Sequence, residues 1–140
     1  MIYICYETFR IMVLKPTESE LEIMQLLWES GPLTVRQVND RLNKQRRVGY
    51  TTTLKIMQIM TEKGFLTRDT DQRSHIYSPT LQSGEVRTKL LDHVIRTAFR
   101  GDTSGMVLHA LGHHKASREE MDEIKAMIEK MEKRPSDGTV

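Results

Sequence analysis

At Gly64 the hydrophobic period of this chain changes, and that change limits the folds open to it. From Pro16 onward apolar residues recur at helical spacing. Beyond Gly64 two short β-favourable runs, Phe65-Leu66-Thr67-Arg68 and Ser74-His75-Ile76-Tyr77-Ser78, flank a polar Asp69-Thr70-Asp71-Gln72-Arg73 and stop at Pro79. Two such runs around a polar turn predict a β-hairpin. The upstream part divides into three helices by its own punctuation. Thr17-Glu18-Ser19-Glu20 has the form of a capping box, in which Thr17 accepts from the backbone of Glu20 and Glu20 reaches back, so a helix starts at Glu18. Leu21, Met24, Leu27 and Trp28 give it an apolar stripe, and Gly31-Pro32 ends it. Thr34 and Gln37 repeat the signature, with Val35, Val38 and Leu42 on the buried face and Asn43 at the end. After Gly49 a third helix carries Leu54, Met57 and Met60, and Gly64 stands just past its last turn.

Three helices followed by a hairpin, within about sixty residues, is the order of a winged helix-turn-helix domain, whose third helix enters a DNA major groove. The expected fold class is therefore mainly α, with this domain over residues 16–80. The chain continues in helical pattern. Val86, Leu90, Leu91, Val94, Ile95 and Ala98 form a wide apolar face up to Gly101, and Met106 to Leu111 is apolar nearly all round and is expected to end at Gly112. Ser117-Arg118-Glu119-Glu120 is a third capping signature. Met121, Ile124, Ile128 and Met131 then make a coiled-coil-like seam too short to be stable alone. Residues 81–133 make a poor independent core, so we expect a helical dimerisation region using Leu90, Leu91, Val94, Met106, Val107, Met121, Ile124, Ile128 and Met131. The competing reading folds these helices back onto the same chain.

The ends read differently. Residues 1–15 are mostly apolar, but Glu7 and Arg10 interrupt the run, no basic segment precedes it and no small-residue cleavage site follows. An N-terminal extension outside the fold is expected rather than a signal peptide. Residues 134–140 have almost no apolar content and read as a disordered tail. No run is long enough for a membrane span. Cys5 is the single cysteine, which excludes an internal disulfide framework and points to the cytoplasm.

In a chain of 140 residues with 21 Lys plus Arg and 19 Asp plus Glu, the net +2 names no partner, but the placement of charge does. The first helix is acidic, through Glu18, Glu20, Glu22 and Glu29. The next stretch sets Arg36, Arg41, Lys44, Arg46, Arg47 and Lys55 against Asp40 alone. A solvated surface can produce such a run, yet one-sided charge suits a phosphate-facing surface better. The third helix opens with Tyr50-Thr51-Thr52-Thr53 and then Lys55. Three successive β-branched residues are poor helix formers, and capping accounts for one of them. Threonine hydroxyls can bond phosphates and base edges, and their methyls can touch thymine. The expected DNA-binding residues are therefore Arg46, Arg47, Tyr50, Thr51, Thr52, Thr53 and Lys55, with Arg73 and His75 on the wing.

His109 and His113 are four apart and His114 is adjacent, a spacing that could present two imidazoles to a transition metal. Gly112 is expected to break the helix between them and no third ligand lies alongside, so a solvated helix end is the preferred reading and no metal or other cofactor is expected. The chain has no HExxH, GxSxG, phosphate-cradling glycine loop or cysteine nucleophile with a partner, and it is not expected to be an enzyme. Two rivals stay open, a winged-helix module that binds protein or RNA and a metal-dependent enzyme.

The run Pro16-Thr17-Glu18-Ser19-Glu20-Leu21-Glu22-Ile23-Met24, with Leu27-Trp28, Gly49-Tyr50-Thr51-Thr52-Thr53, Glu62-Lys63-Gly64 and the Arg73 to Pro79 strand, closely resembles the penicillinase-repressor family, of BlaI, MecI and CopY type. The resemblance covers about Pro16 to Met131. It implies a homodimeric winged-helix transcriptional repressor on an inverted-repeat, double-stranded DNA operator, controlling β-lactam-response or related genes. It also implies a membrane sensor metallopeptidase pathway that triggers cleavage of the repressor. The family's scissile Asn-Phe pair after Val-Leu is replaced here by His109-Ala110 after Val107-Leu108, which puts cleavage at that bond in doubt. Copper-responsive members carry C-terminal Cys-x-Cys pairs, which are absent here.

Overall fold

The computed structural model of the protein describes residues 15–134; the N-terminal extension up to residue 14, Cys5 included, and the tail from residue 135 lie outside the described residues. Helix α1 spans Glu18–Ser30, strand β1 Leu33–Thr34, helix α2 Val35–Leu42, helix α3 Tyr50–Lys63, strand β2 Leu66–Asp69 and strand β3 Ile76–Pro79. Helices α4 (Ser83–Ala98), α5 (Thr103–His113) and α6 (Arg118–Glu132) follow. Contacts divide the chain into two compact units, one up to Val94 and one from Ile95.

The caps act much as their sequences dictate, with one instructive exception. Thr34 accepts from Gln37 N at 3.2 Å while Thr34 N donates to the Gln37 side chain at 2.9 Å, so α2 opens with a complete capping box. Thr17 likewise accepts from Glu20 N. Glu20, however, does not reach back as expected. Its carboxylate turns inward, and its Oε1 accepts from Lys63 Nζ at 2.6 Å, tying α1 to the last turn of α3. A full positive charge is a stronger partner than one backbone N–H. The other oxygen, Oε2, is buried with no hydrogen-bond partner. At the far end of α3, Gly64 adopts the left-handed conformation (φ 84°) that closes the helix and turns the chain into β2.

The sheet has order β1-β3-β2 and is antiparallel throughout. In it Tyr77 of β3 lies opposite Leu33 on one side and Arg68 on the other. The two-residue β1 is a difference from the sequence reading, which assigned no strand between the first two helices. The hairpin strands also sit one or two positions later than expected, which leaves Arg73, Ser74 and His75 in the connection at the hairpin tip. Ile23, Met24 and Leu27 of α1, Val38 and Leu42 of α2, Met57 and Met60 of α3, and Phe65, Leu66 and Tyr77 form one core.

That core extends past the expected domain boundary at residue 80. Leu81 and Val86 are buried in it, Leu90 packs against it, and Trp28 Nε1 donates to Leu81 O at 2.9 Å. Leu90, expected at a dimer interface, thus serves its own chain, because a short three-helix core is closed by the start of α4.

The unit from Ile95 is built differently: none of its described residues is buried. Arg100 (φ 51°) and Gly101 (φ 86°) make the turn before α5, and Asp102 caps that helix by accepting from Gly105 N at 2.9 Å. A β-carbon at Gly105 would meet the Asp102 carboxylate, which would have to shift to make room for it. Gly112 does not end the helix as expected; α5 runs through it to His113. An isolated glycine costs a helix only about 1 kcal/mol and does not by itself stop one. Ser117 and Glu120 form a complete capping box at α6.

The Glu20–Lys63 pair yields a stability prediction. Lys63→Met strands a buried carboxylate and should cost about 2 kcal/mol, below the range for a fully buried pair because the lysine side chain keeps 27% exposure. Adding Glu20→Gln should recover part of the loss. Urea unfolding with an unchanged m-value checks both; equal stability of Lys63→Met and the parent protein would refute it.

Candidate nucleic-acid interface

The start of α3 is held in place from below. Asn39, buried on α2, donates from Nδ2 to Val48 O at 3.0 Å and to Thr53 Oγ1 at 2.9 Å. Asn43 donates to Val48 O at 2.9 Å, and its Oδ1 accepts from Val48 N at 3.1 Å. Both backbone groups of Val48, in the loop between α2 and α3, are thereby satisfied.

Thr53 is fully buried within this network, and its expected role at the DNA groove is corrected. It lies four and seven positions before Met57 and Met60, on the same inward stripe. Period, not residue type, separates it from its neighbours. Thr51, Thr52 and Lys55 are exposed, and Tyr50 is 46% exposed. Gln58, also exposed, continues their face of α3 one turn on. Sequence reasoning passed over it, although its spacing from Thr51 and Lys55 was the available signal.

The arginines fall into two groups. Arg46 and Arg47 are exposed in the α2–α3 loop, and Arg46 pairs with Glu22 of α1 at 3.0 Å. Such an exposed pair is worth at most about 1 kcal/mol and exchanges readily for another anion. Arg73 and His75 of the hairpin tip instead share an open cleft of about 410 Å³ with Tyr50 and Arg36. Thr34, Val35, Leu54, Ser74 and Tyr77 complete its lining, which contains no carboxylate. The Arg36 guanidinium carbon stands 5.7 Å from the centre of the Tyr50 ring. The structure thus brings Tyr50, Arg73 and His75 together and adds Arg36, which the sequence marked only as one charge in a basic run.

Elsewhere, Leu91 and Val94 are exposed at the end of the first unit. In the second unit Met106, Met121 and Ile124 are half-buried while Val107, Ile128 and Met131 are exposed. The His109-Ala110 bond lies in mid-helix. The His109 ring stacks on His113 with centres 4.1 Å apart and meets Phe99 edge-on at 5.8 Å. Among the described residues no group of three metal-ligating side chains converges.

A family model described as penicillinase repressor matches residues 16–130. The chain belongs to the penicillinase repressor family. This repressor is 28% identical over 115 residues to the transcriptional regulator BlaI of Mycobacterium tuberculosis, covering 81% of this chain and 82% of that one. It is 22% identical over 118 residues to the penicillinase repressor of Bacillus licheniformis, covering 84% and 92%. The solution structure of the DNA binding domain of the repressor BlaI matches 51% of this chain and 87% of that chain, with 21% identity and a TM-score of 0.46. Members of the family are transcriptional repressors and not enzymes. No helix among the described residues is long and apolar enough to cross a membrane.

Removing the donor beneath α3 should be costly. Asn39→Ala leaves the Thr53 hydroxyl short of a partner and weakens the hold on Val48, a loss of about 2 kcal/mol in urea unfolding. Amide exchange at Val48 should also accelerate. Unchanged exchange there would show that Asn43, whose Oδ1 accepts from Val48 N, holds the loop without help from Asn39.

Proposed function

We propose that this repressor acts in the cytoplasm as a homodimer on an inverted-repeat operator, with the start of α3 in the major groove and the hairpin as its wing. The observation that carries this reading is the carboxylate-free cleft of Arg36, Arg73 and His75 beside the exposed Tyr50, Thr51, Thr52 and Lys55 at the start of α3. A surface built to lie on phosphates gains from excluding acids. Arg46, Arg47 and Arg73 contact phosphates and supply affinity; Thr51, Thr52 and Lys55 reach base edges and supply discrimination.

The homodimer is supported by the unit from Ile95, where no described residue is buried while Val107, Leu108, Ile128 and Met131 stand open. Leu91 and Val94 join that apolar set. The DNA-binding part comprises residues 16–80 with the start of α4, and the remaining helices to about residue 133 are the dimerisation region. The relative named penicillinase repressor favours control of β-lactam-response genes, and a membrane sensor metallopeptidase upstream is what the family resemblance implies. Release from DNA then requires loss of the α6 seam from the dimer. Proteolysis at His109-Ala110 would first demand local unwinding of α5, because the bond lies inside regular helix.

Titrations at several salt concentrations, on a duplex selected from a randomised pool and on a scrambled one, test the division of labour. Arg73→Ala should weaken binding to both and reduce the salt slope by about one unit. Thr52→Ala should keep the slope and lose about 1 kcal/mol of preference for the selected duplex. Truncation after Leu108 should give a monomer by sedimentation that holds the selected duplex weakly. A truncated protein that still sediments as a dimer and retains its DNA would sink the dimer reading.

A further inference from the structure

We propose that Arg36 and Arg73 are the two jaws of one seat for a DNA backbone phosphate, and that Tyr50 is the platform that holds Arg36 in that seat rather than a reader of bases. The proposal rests on the DNA-binding reading above and assigns a subsite within it. Arg36 is the second residue of α2 and Tyr50 the first of α3, so their contact joins the starts of two helices. Arg73 arrives from the hairpin tip, a third element, on the same cleft. Three basic side chains, with His75 the third, and the hydroxyl-bearing Thr34 and Ser74 surround a floor of Val35, Leu54 and Tyr77. With no carboxylate in the lining, the cleft can be neutralised only by an anion brought from outside. A guanidinium fork matches two oxygens of a phosphate, and two forks from different elements lining one cleft can share one phosphate group.

The role of Tyr50 follows from what an exposed arginine loses on binding. A free arginine side chain samples many rotamers and gives up that freedom when it grips a phosphate. A guanidinium resting on an aromatic face has surrendered part of it beforehand, while its N–H groups stay available at the edge of the plane. The ring face turned to Arg36 is also no longer free to stack on or abut a base. Tyr50 therefore acts through Arg36 and is a positioning residue.

The test is a double-substitution cycle measured by DNA binding. The parent protein, Arg36→Ala, Tyr50→Ala, Tyr50→Phe and the Arg36→Ala/Tyr50→Ala pair are titrated at several salt concentrations on a mixed-sequence duplex and on a duplex selected from a randomised pool. Thermal unfolding checks that these exposed-site variants stay folded. Arg36→Ala should lose roughly tenfold in affinity on both duplexes and about one unit of salt slope. Tyr50→Ala should show a smaller loss with the ratio between the two duplexes unchanged, Tyr50→Phe should match the parent, and the pair should be no worse than Arg36→Ala alone. A Tyr50→Ala protein that changes the ratio between duplexes, additive losses in the pair, or an unchanged slope for Arg36→Ala would each overturn the proposal. A parent protein that binds neither duplex would overturn the DNA reading beneath it, an outcome distinct from the other three.

Discussion

The start of α3 and the loop before it, which carry several of the proposed DNA contacts, inherit their position from the hydrogen bonds that Asn39 and Asn43 make to Val48 and Thr53. Val48 is buried in a loop, where neither of its backbone groups can join a helix or a strand. Leaving such groups unpaired costs on the order of 1–3 kcal/mol each, so the loop conformation is determined by whichever side chains can satisfy them. Two asparagines one helical turn apart, Asn39 within α2 and Asn43 at its C-terminal cap, do so. They fix the path of the chain from α2 to α3, and with it the places of Arg46, Arg47 and Tyr50. Because the network also includes the Thr53 hydroxyl, α3 is locked in rotation as well as position. The polar core beneath α3 thus sets which of its residues face outward.

The two compact units solve the burial problem in opposite ways. The first encloses Ile23, Met24, Met57, Met60, Phe65 and Tyr77 almost completely, using α4 to close what three short helices and a small sheet cannot. The second buries none of its described residues and leaves Leu108 69% exposed. A capping box and a side-chain cap define its helices locally, but caps contribute about 1 kcal/mol each and cannot stand in for a core. A partner that covers this surface would couple the stability of these helices to protein concentration.

Local punctuation made most of the fold legible. The boundaries of α1, α2, α3 and α6 follow from Thr17, Thr34, Gly49, Gly64 and Ser117, whose capping chemistry acts within one turn. What escaped were features set by distant parts of the chain. Strand β1 exists because Leu33 and Thr34 meet β3, and two residues carry no period of their own. Glu20 has the sequence of a capping residue, but Lys63 outbids the backbone for its carboxylate. Leu90 reads as one apolar residue among several on α4, and only the closing of the first core shows which side claims it. On α3, Tyr50, Thr51, Thr52 and Lys55 are exposed, as a surface contact requires, whereas the phase of Thr53 places it on the inward stripe with Met57 and Met60. Arg36 and Tyr50 meet only because of how α2 and α3 cross.

The arginines at this surface are held by two kinds of partner, and the difference bears on how DNA is gripped. Arg46 rests on Glu22, an acid in an exposed ion pair. Approaching a phosphate, it must give up that acid, and Glu22 is then left near an incoming anion. The net gain from Arg46 is reduced by both effects. Arg36 rests on the neutral face of Tyr50, which repels no phosphate and can be retained after contact. Salt screens the Arg46–Glu22 pair as well as the phosphate contact, so raising it weakens the competitor and the prize together; for Arg36 it weakens the phosphate contact alone. Arg36 should therefore carry a larger part of the salt dependence than Arg46, even though both have the same formal charge. An aromatic platform is the arrangement that keeps a cation ordered without neutralising it.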